Sequence, residues 1–225
     1  LTQAPPILVL DLDGTLVDTA GDLVAALNHV LAGEGVGPVA LADAVRMVGN
    51  GSRAMLRTAL IESGREPTTE DLDRMTADFL AWYVDHIAEM SRPFPGAPEA
   101  LDRFAAAGWR LAVCTNKFEG AARSLLTQLG LARRFAAIAG QDTFVAMKPD
   151  PRHLTETIRV AGGVPERAIM VGDSNVDADT ARNAGIPSVL VTFGYSPVPA
   201  ATLGADRLID HYDQLFDAAA GLIRT

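Results

Sequence analysis

A single cysteine in 225 residues, Cys114, leaves no partner for an intrachain disulfide, which fits a reducing compartment. It lies in a strand-like run beside Thr115 and reads as a small buried hydrophobe rather than a nucleophile. Runs rich in lysine and arginine are also missing, and the formal net charge is −9. Nucleic acid is therefore not an expected partner, and an anionic ligand must be met by a few local groups. No apolar stretch approaches the ~20 residues that span a bilayer, so no membrane partner is expected either. Leu1 to Pro6 lacks the basic start and apolar core of a signal peptide. The expectation is a cytoplasmic protein, with room for residues upstream because the chain begins with Leu. The four histidines, His29, His86, His153 and His211, have no ligand-like spacing and read as helix-surface or helix-end residues rather than a zinc site. Gly-x-Gly-x-x-Gly does not follow the first apolar run, which argues against a nicotinamide cofactor.

What is present is enough apolar material, 48% of residues, to fill a substantial core. Strand-like segments at 7–11, 110–115, 136–139, 168–172, 187–192 and 207–209 alternate with helical patterns at about 97–107, 117–129, 151–162, 175–184 and 212–222. That alternation predicts an α/β fold with a doubly wound, parallel, Rossmann-like sheet. Residues 17–91 do not alternate. Leu23, Ala26, Leu27, Val30 and Leu31, then Met55, Leu56, Ala59 and Leu60, then Leu72, Met75, Phe79, Leu80 and Tyr83 recur with helical spacing, and nothing there reads as a strand. The expected organisation is a core of residues 1–16 and 92–225 interrupted by a helical insertion at 17–91.

The first strand, Ile7-Leu8-Val9-Leu10, runs directly into Asp11-Leu12-Asp13-Gly14-Thr15. Residues two apart on a strand share a side, so Asp11 and Asp13 can converge on one ligand, at the strand end where open α/β sheets place their sites. The alternative is a turn at Asp13-Gly14 with Asp11 as a cap. Three further segments repeat the design: a strand into Thr115-Asn116-Lys117, the pair Lys148-Pro149 before a helix, and a strand into Gly172-Asp173-Ser174 with Asp177. Acids, a hydroxyl and a cation in this arrangement are what handling a phosphoryl group with a divalent metal requires.

On these residues, in this order and from about residue 7 to 195, the sequence resembles the haloacid dehalogenase-like superfamily of aspartate-nucleophile phosphatases. Thr115-Asn116-Lys117, Lys148-Pro149, Gly172-Asp173-Ser174, Thr192-Phe193-Gly194-Tyr195 and Val48-Gly49-Asn50-Gly51 look most like the phosphoglycolate phosphatases. Thr143-Phe144-Val145-Ala146-Met147 is more apolar than that pattern leads one to expect. The resemblance implies that residues 17–91 form a cap domain, that Asp11 is the nucleophile, and that Asp13 is the general acid and then base. It also implies that Thr115 and the backbone N–H of Asn116 hold phosphoryl oxygens and that Lys148 neutralises charge. Mg²⁺ would be held by Asp11, the Asp13 carbonyl and Asp173, with Asp177 either holding a metal-bound water or favouring a helix start. Asp18 and Asp179 read as surface or cap residues. Lys117 is either a helix-start residue or a second cation facing the substrate.

The partner implied is a small phosphorylated metabolite, with 2-phosphoglycolate leading. Another sugar-phosphate or phospho-acid phosphatase and a sugar-phosphate mutase are alternatives. A phospho-acceptor switch of receiver type is a rival of another class, disfavoured by the acid two residues after Asp11 and by the helical block. Within that block Gly49, Asn50, Gly51 and Arg53 form the best substrate-binding candidate, since glycines permit close backbone approach and arginine pairs with carboxylates. The opposing reading of this loop is a helix–helix turn with Arg53 solvated.

Overall fold

The computed structural model describes residues 4–48 and 51–223. Strand β1 (Ile7–Leu10) is buried at every position, as a strand covered on both faces must be. A two-residue strand, β2 (Val17–Asp18), then leads into four helices: α1 (Ala20–Gly33), α2 (Leu41–Ala44), α3 (Ser52–Glu62) and α4 (Thr69–Asp85). The chain returns through β3 (Arg92–Pro93), which pairs antiparallel with β2, Val17 opposite Pro93. The sequence reading allowed no strand in 17–91. Two residues are too few to produce a period, and only the pairing of Val17 with Pro93 and of Asp18 with Arg92 makes them a ribbon.

After this ribbon the expected alternation follows. It runs α5 (Ala97–Ala106), β4 (Arg110–Cys114), α6 (Glu119–Gln128), β5 (Ala137–Ala139), α7 (Pro151–Val160), β6 (Ala168–Gly172), α8 (Asn175–Ala184), β7 (Ser188–Val191), β8 (Arg207–Ile209) and α9 (Leu215–Ala220). The sheet order is β5-β4-β1-β6-β7-β8, with all neighbours parallel. Strand alternation divides its side chains between two layers. Leu8, Leu10, Val113 and Val171 pack in one core cluster with Leu101 and Phe104 of α5 and Leu125 of α6. Ile7, Val9, Ala112 and Met170 pack on the other face against Leu154 and Ile158 of α7.

The chain leaves β1 for β4 on one side and later fills β6 on the other, so the crevice at the strand ends opens beside β1, where such sheets bind ligands. The inserted helices stand over that crevice. Helix α4 starts with a reciprocal cap, the Thr68 hydroxyl accepting from the Asp71 N–H and the Asp71 carboxylate from the Thr68 N–H, an arrangement worth about 1 kcal/mol. Its buried stripe is Leu72, Met75, Phe79 and Tyr83, and the later part of it, Phe79 and Tyr83, becomes a wall of the crevice. One contact ties the start of the insertion to its end, and a second fastens the insertion to the core. Buried Asp22 accepts from the N–H groups of Met90 and Ser91 and from the Ser91 hydroxyl. The Tyr195 hydroxyl accepts from the N–H groups of Thr19 and Ala20 and donates to Asp18.

Candidate active site

Asp11 follows β1, Thr115 follows β4 and Asp173 follows β6, and the parallel register brings these three strand ends side by side. The Asp11 N–H still donates to the Val171 carbonyl at 2.9 Å, which fixes its backbone while its side chain turns into the crevice. Asp11 is nearly buried. Burial, opposed by Lys148 and reinforced by Asp177, pushes its carboxyl up to about 6.

Lys148 is buried between two acids, its Nζ 2.9 Å from Asp11 Oδ1 and 2.6 Å from Asp177 Oδ1. The directed hydrogen bond goes to Asp177. Asp11 Oδ1 is left buried without a well-formed one. Burial pulls the Lys148 ammonium down, but Asp11 and Asp177 outweigh it and hold it above the ordinary lysine range. The Lys148 backbone is held by the Asn116 side chain, which accepts from its N–H and donates to its carbonyl. The same N–H also donates to His153 Nδ1. Asn116 therefore places the lysine through its side chain, a task the sequence reading did not give it. His153, expected at a surface or helix end, lies in the first turn of α7 but is fully buried.

Asp173 is held by two neighbours. Its oxygens accept from the Thr15 hydroxyl at 3.0 Å and the Tyr195 N–H at 2.7 Å. A Cβ on Gly194 would come within 2.2 Å of the Asp173 side chain, so only glycine lets this loop close on the acid. Burial, then the charges of Asp177 and Asp11, raise the Asp173 carboxyl to about 8. Asp177 Oδ2 accepts from the N–H groups of Asp173 and Ser174 and from the Ser174 hydroxyl. Its other oxygen faces Lys148. It thus braces the start of α8 while belonging to the acid cluster.

One oxygen from each of Asp11, Asp173 and Asp177 lies within 4.8 Å of the others. Three buried acids brought this close, an oxygen-only donor set and an Asp11 Oδ1 without a well-formed hydrogen bond together fit a hard divalent cation. The Asp13 carboxylate is not part of that cluster. It accepts from the Thr19 hydroxyl at 2.8 Å, and both its oxygens lie 2.9 Å from Lys117 Nζ. This leaves only its backbone carbonyl as the expected metal ligand. The Thr115 hydroxyl accepts from the Lys117 N–H, and its own proton remains available for an anion.

Asp11, Asp13, Thr115, Asn116 and Lys117 line a narrow cavity of about 60 Å³ with Leu23, Val48, Met55, Phe79, Leu80 and Tyr83 of the insertion. Gly51 and Ser52 line it at the start of α3, Gly51 with φ +86°. Arg53 does not. It points away to pair with Asp73 and the Thr69 carbonyl on the outer face of α4. The expectation that Arg53 faces the ligand is thus corrected: at the second position of α3 its side chain lies on the side of the helix turned toward α4. Gly49 and Asn50 fall outside the described residues. Cys114 is fully buried, and burial pushes its thiol up to about 12, which suits packing rather than attack. Thr15, Asn116 (through its side chain), His153 and Tyr195 support the site without an earlier assignment. Thr15, Asn116 and Tyr195 stand in strings the sequence singles out, and His153 does not.

The profile of the haloacid dehalogenase-like hydrolases matches residues 8–191. The chain is 51% identical over 220 residues to a phosphoglycolate phosphatase of Mesorhizobium japonicum, covering 97% of each chain. It is 48% identical to one of Agrobacterium fabrum, covering 97% of this chain and 94% of that protein. Among solved structures, a predicted phosphoglycolate phosphatase from Haemophilus somnus superposes with a TM-score of 0.88 at 27% identity, over 95% of this chain and 97% of the other.

Proposed function

Because this chain belongs to the haloacid dehalogenase-like hydrolase family and is a phosphatase, we propose that it hydrolyses 2-phosphoglycolate with Mg²⁺ through an aspartyl phosphate on Asp11. The observation that carries the chemistry is the convergence at one crevice of a nearly buried carboxylate, Asp11, with Lys148 2.9 Å away and a second acid, Asp13, two residues on. The relatives named above support the choice of substrate. The single buried cysteine supports a reducing, cytoplasmic setting.

In the first half-reaction an Asp11 oxygen attacks phosphorus, the ester P–O bond breaks, and Asp13 gives its proton to the departing glycolate oxygen. In the second, Asp13 takes a proton from water as the water oxygen attacks the aspartyl phosphate. Inorganic phosphate leaves and Asp11 is restored. Thr115 and Lys148 hold negative charge on the phosphoryl oxygens and on Asp11. The 17–91 cap excludes water and selects the organic part of the substrate. Asp11, Asp173 and the Asp13 carbonyl would hold Mg²⁺, with Asp177 behind them, and the ion when bound supplies charge neutralisation at the phosphoryl group.

Phosphate release from 2-phosphoglycolate tests this reading. Chelation should abolish release and Mg²⁺ should restore it. Full turnover in chelator would exclude the metal, and release from other small phosphoesters but not from 2-phosphoglycolate would exclude the substrate.

A further inference from the structure

Two lysines serve the paired acids, and the mechanism above uses only one of them. Lys148 lies beneath the site, enclosed by Asp11 and Asp177. Lys117, the first residue beyond Thr115-Asn116, is also buried, its side chain 6% exposed, but it lines the cavity itself. Among the described residues that line the cavity it is the one cation. Its ammonium is set between the two halves of the molecule. Asp13 of the core lies 2.9 Å away through both oxygens, and the ring of Tyr83 from α4 covers it at 4.6 Å. The Tyr83 hydroxyl is buried without a well-formed hydrogen bond.

We propose that Lys117, with Tyr83 beside it, is the receptor for the second anion of the substrate, a carboxylate one carbon from the ester oxygen, and that seating this carboxylate releases Asp13 toward that oxygen. The proposal rests on the substrate reading above and names the group that enforces it.

The geometry argues for it in three steps. Asp13 must come within about 3 Å of the ester oxygen to exchange a proton with it, and here both of its oxygens are engaged by Lys117. A carboxylate joined to the ester oxygen through a single carbon has its own oxygens within about 4 Å of that ester oxygen, given bond lengths of about 1.5 Å. A substrate placed for Asp13 therefore brings its carboxylate to the lysine that Asp13 now occupies. An ammonium has three donors, so the incoming carboxylate competes directly for those spent on Asp13.

The cation is already out of water and held from one side by an aromatic face, so the substrate meets a charge whose desolvation was met during folding. The remaining walls, Met55, Phe79 and Leu80 among them, offer no alternative counter-charge, and Arg53 is committed to Asp73 outside. A neutral ester of the same size would fill the cavity and leave Asp13 on the lysine.

The test compares 2-phosphoglycolate with ethyl phosphate, in which a methyl group replaces the carboxylate, using Mg²⁺-loaded wild type, Lys117→Met, Lys117→Gln, Lys117→Arg and Tyr83→Phe. Thermal melts identify the variants that fold, and the two neutral replacements guard against failure of either. Wild type should prefer 2-phosphoglycolate. In the neutral variants the ratio of kcat/KM for 2-phosphoglycolate to that for ethyl phosphate should fall at least about thirtyfold, with KM for 2-phosphoglycolate rising. Lys117→Arg should recover part of the ratio, and Tyr83→Phe should lower it severalfold. An unchanged ratio, with both substrates losing equally, overturns the proposal and reduces Lys117 to a support for Asp13 while the substrate reading stands. A wild type that hydrolyses both without preference overturns the substrate reading and the receptor with it.

Discussion

The floor and the roof of this site are built from opposite materials. At the strand ends Asp11, Asp173, Asp177 and Lys148 are all buried, and most are held by several directed contacts. Across the cavity, α1, α3 and α4 present Leu23, Met55, Phe79 and Leu80, and among the described lining residues positive charge enters through Lys117 under the Tyr83 ring. The floor carries electrostatic tension, three like charges within 4.8 Å of one another, which the protein tolerates because a cation is to be placed there. The roof carries hydrophobic packing, which stabilises the cap and shapes the space. Changes to the floor should therefore cost chemistry while sparing the fold, and changes to the cap should matter only where they reach its inner face.

The largest effect belongs to the floor. Asp11→Asn should lower turnover by about 10⁴-fold or more, as loss of a covalent nucleophile does elsewhere, and should give no acid-stable phosphoprotein on quenching, with the thermal melt retained. Turnover within tenfold of wild type would remove Asp11 as the attacking group and blur the division between the two regions.

A smaller effect sharpens the electrostatic half of the comparison. In metal-free protein the Asp173 carboxyl is raised from 3.8 to about 8. A folded pKa above the unfolded one gives stability that is complete below about pH 4 and lost as pH climbs toward 8. Between pH 6.5 and 8 buried His153, lowered from 6.5 to about 4, offsets this by only about 0.4 kcal/mol as its unfolded form finishes losing its proton. Over that interval the metal-free protein should lose roughly 1–2 kcal/mol of unfolding free energy. Mg²⁺ should reverse the loss, and Asp173→Asn should remove most of it. Urea unfolding in chelator at the two pH values measures this, and a flat profile would mean that the acids do not strain one another.

The smallest effect is expected on the outer face of the cap. Arg53 pairs with Asp73 in solvent, so Arg53→Ala should change stability by less than about 0.5 kcal/mol and kcat/KM for 2-phosphoglycolate by less than threefold. A tenfold rise in KM would show that the outer face also takes part in selection.

Some of this was legible before folding because its causes are local. The six sheet strands announced themselves as apolar runs bounded by helical patterns, and the runs at 7–11, 110–115 and 168–172 correspond to β1, β4 and β6. The buried stripes of α3 and α4 were present as Met55, Leu56, Ala59 and Leu60 and as Leu72, Met75, Phe79 and Tyr83, since helix periodicity is written at three- and four-residue spacing. Asp11, Thr115 and Asp173 stand directly after strands, where one dimension already says that a side chain leaves the sheet, and Lys148 stands just before a helix.

What tertiary structure alone decided concerns partners far apart in sequence. Whether Lys117 began a helix or faced a ligand depended on Asp13, 104 residues away, and on Tyr83 from another region of the chain. Asp177 was open between a helix start and the acid cluster, and its two oxygens divide between those tasks once Lys148 arrives 29 residues distant. Arg53 sits in a suggestive string, yet the direction of its side chain follows from the packing of α3 on α4. The β2–β3 ribbon, the burial of Asp22 and the bracing of Thr19 and Ala20 by Tyr195 likewise left no periodic trace. A sequence specifies which residues can pair, but a pair separated by 70 to 180 positions exists only when the sheet order and the cap bring both ends to the same crevice.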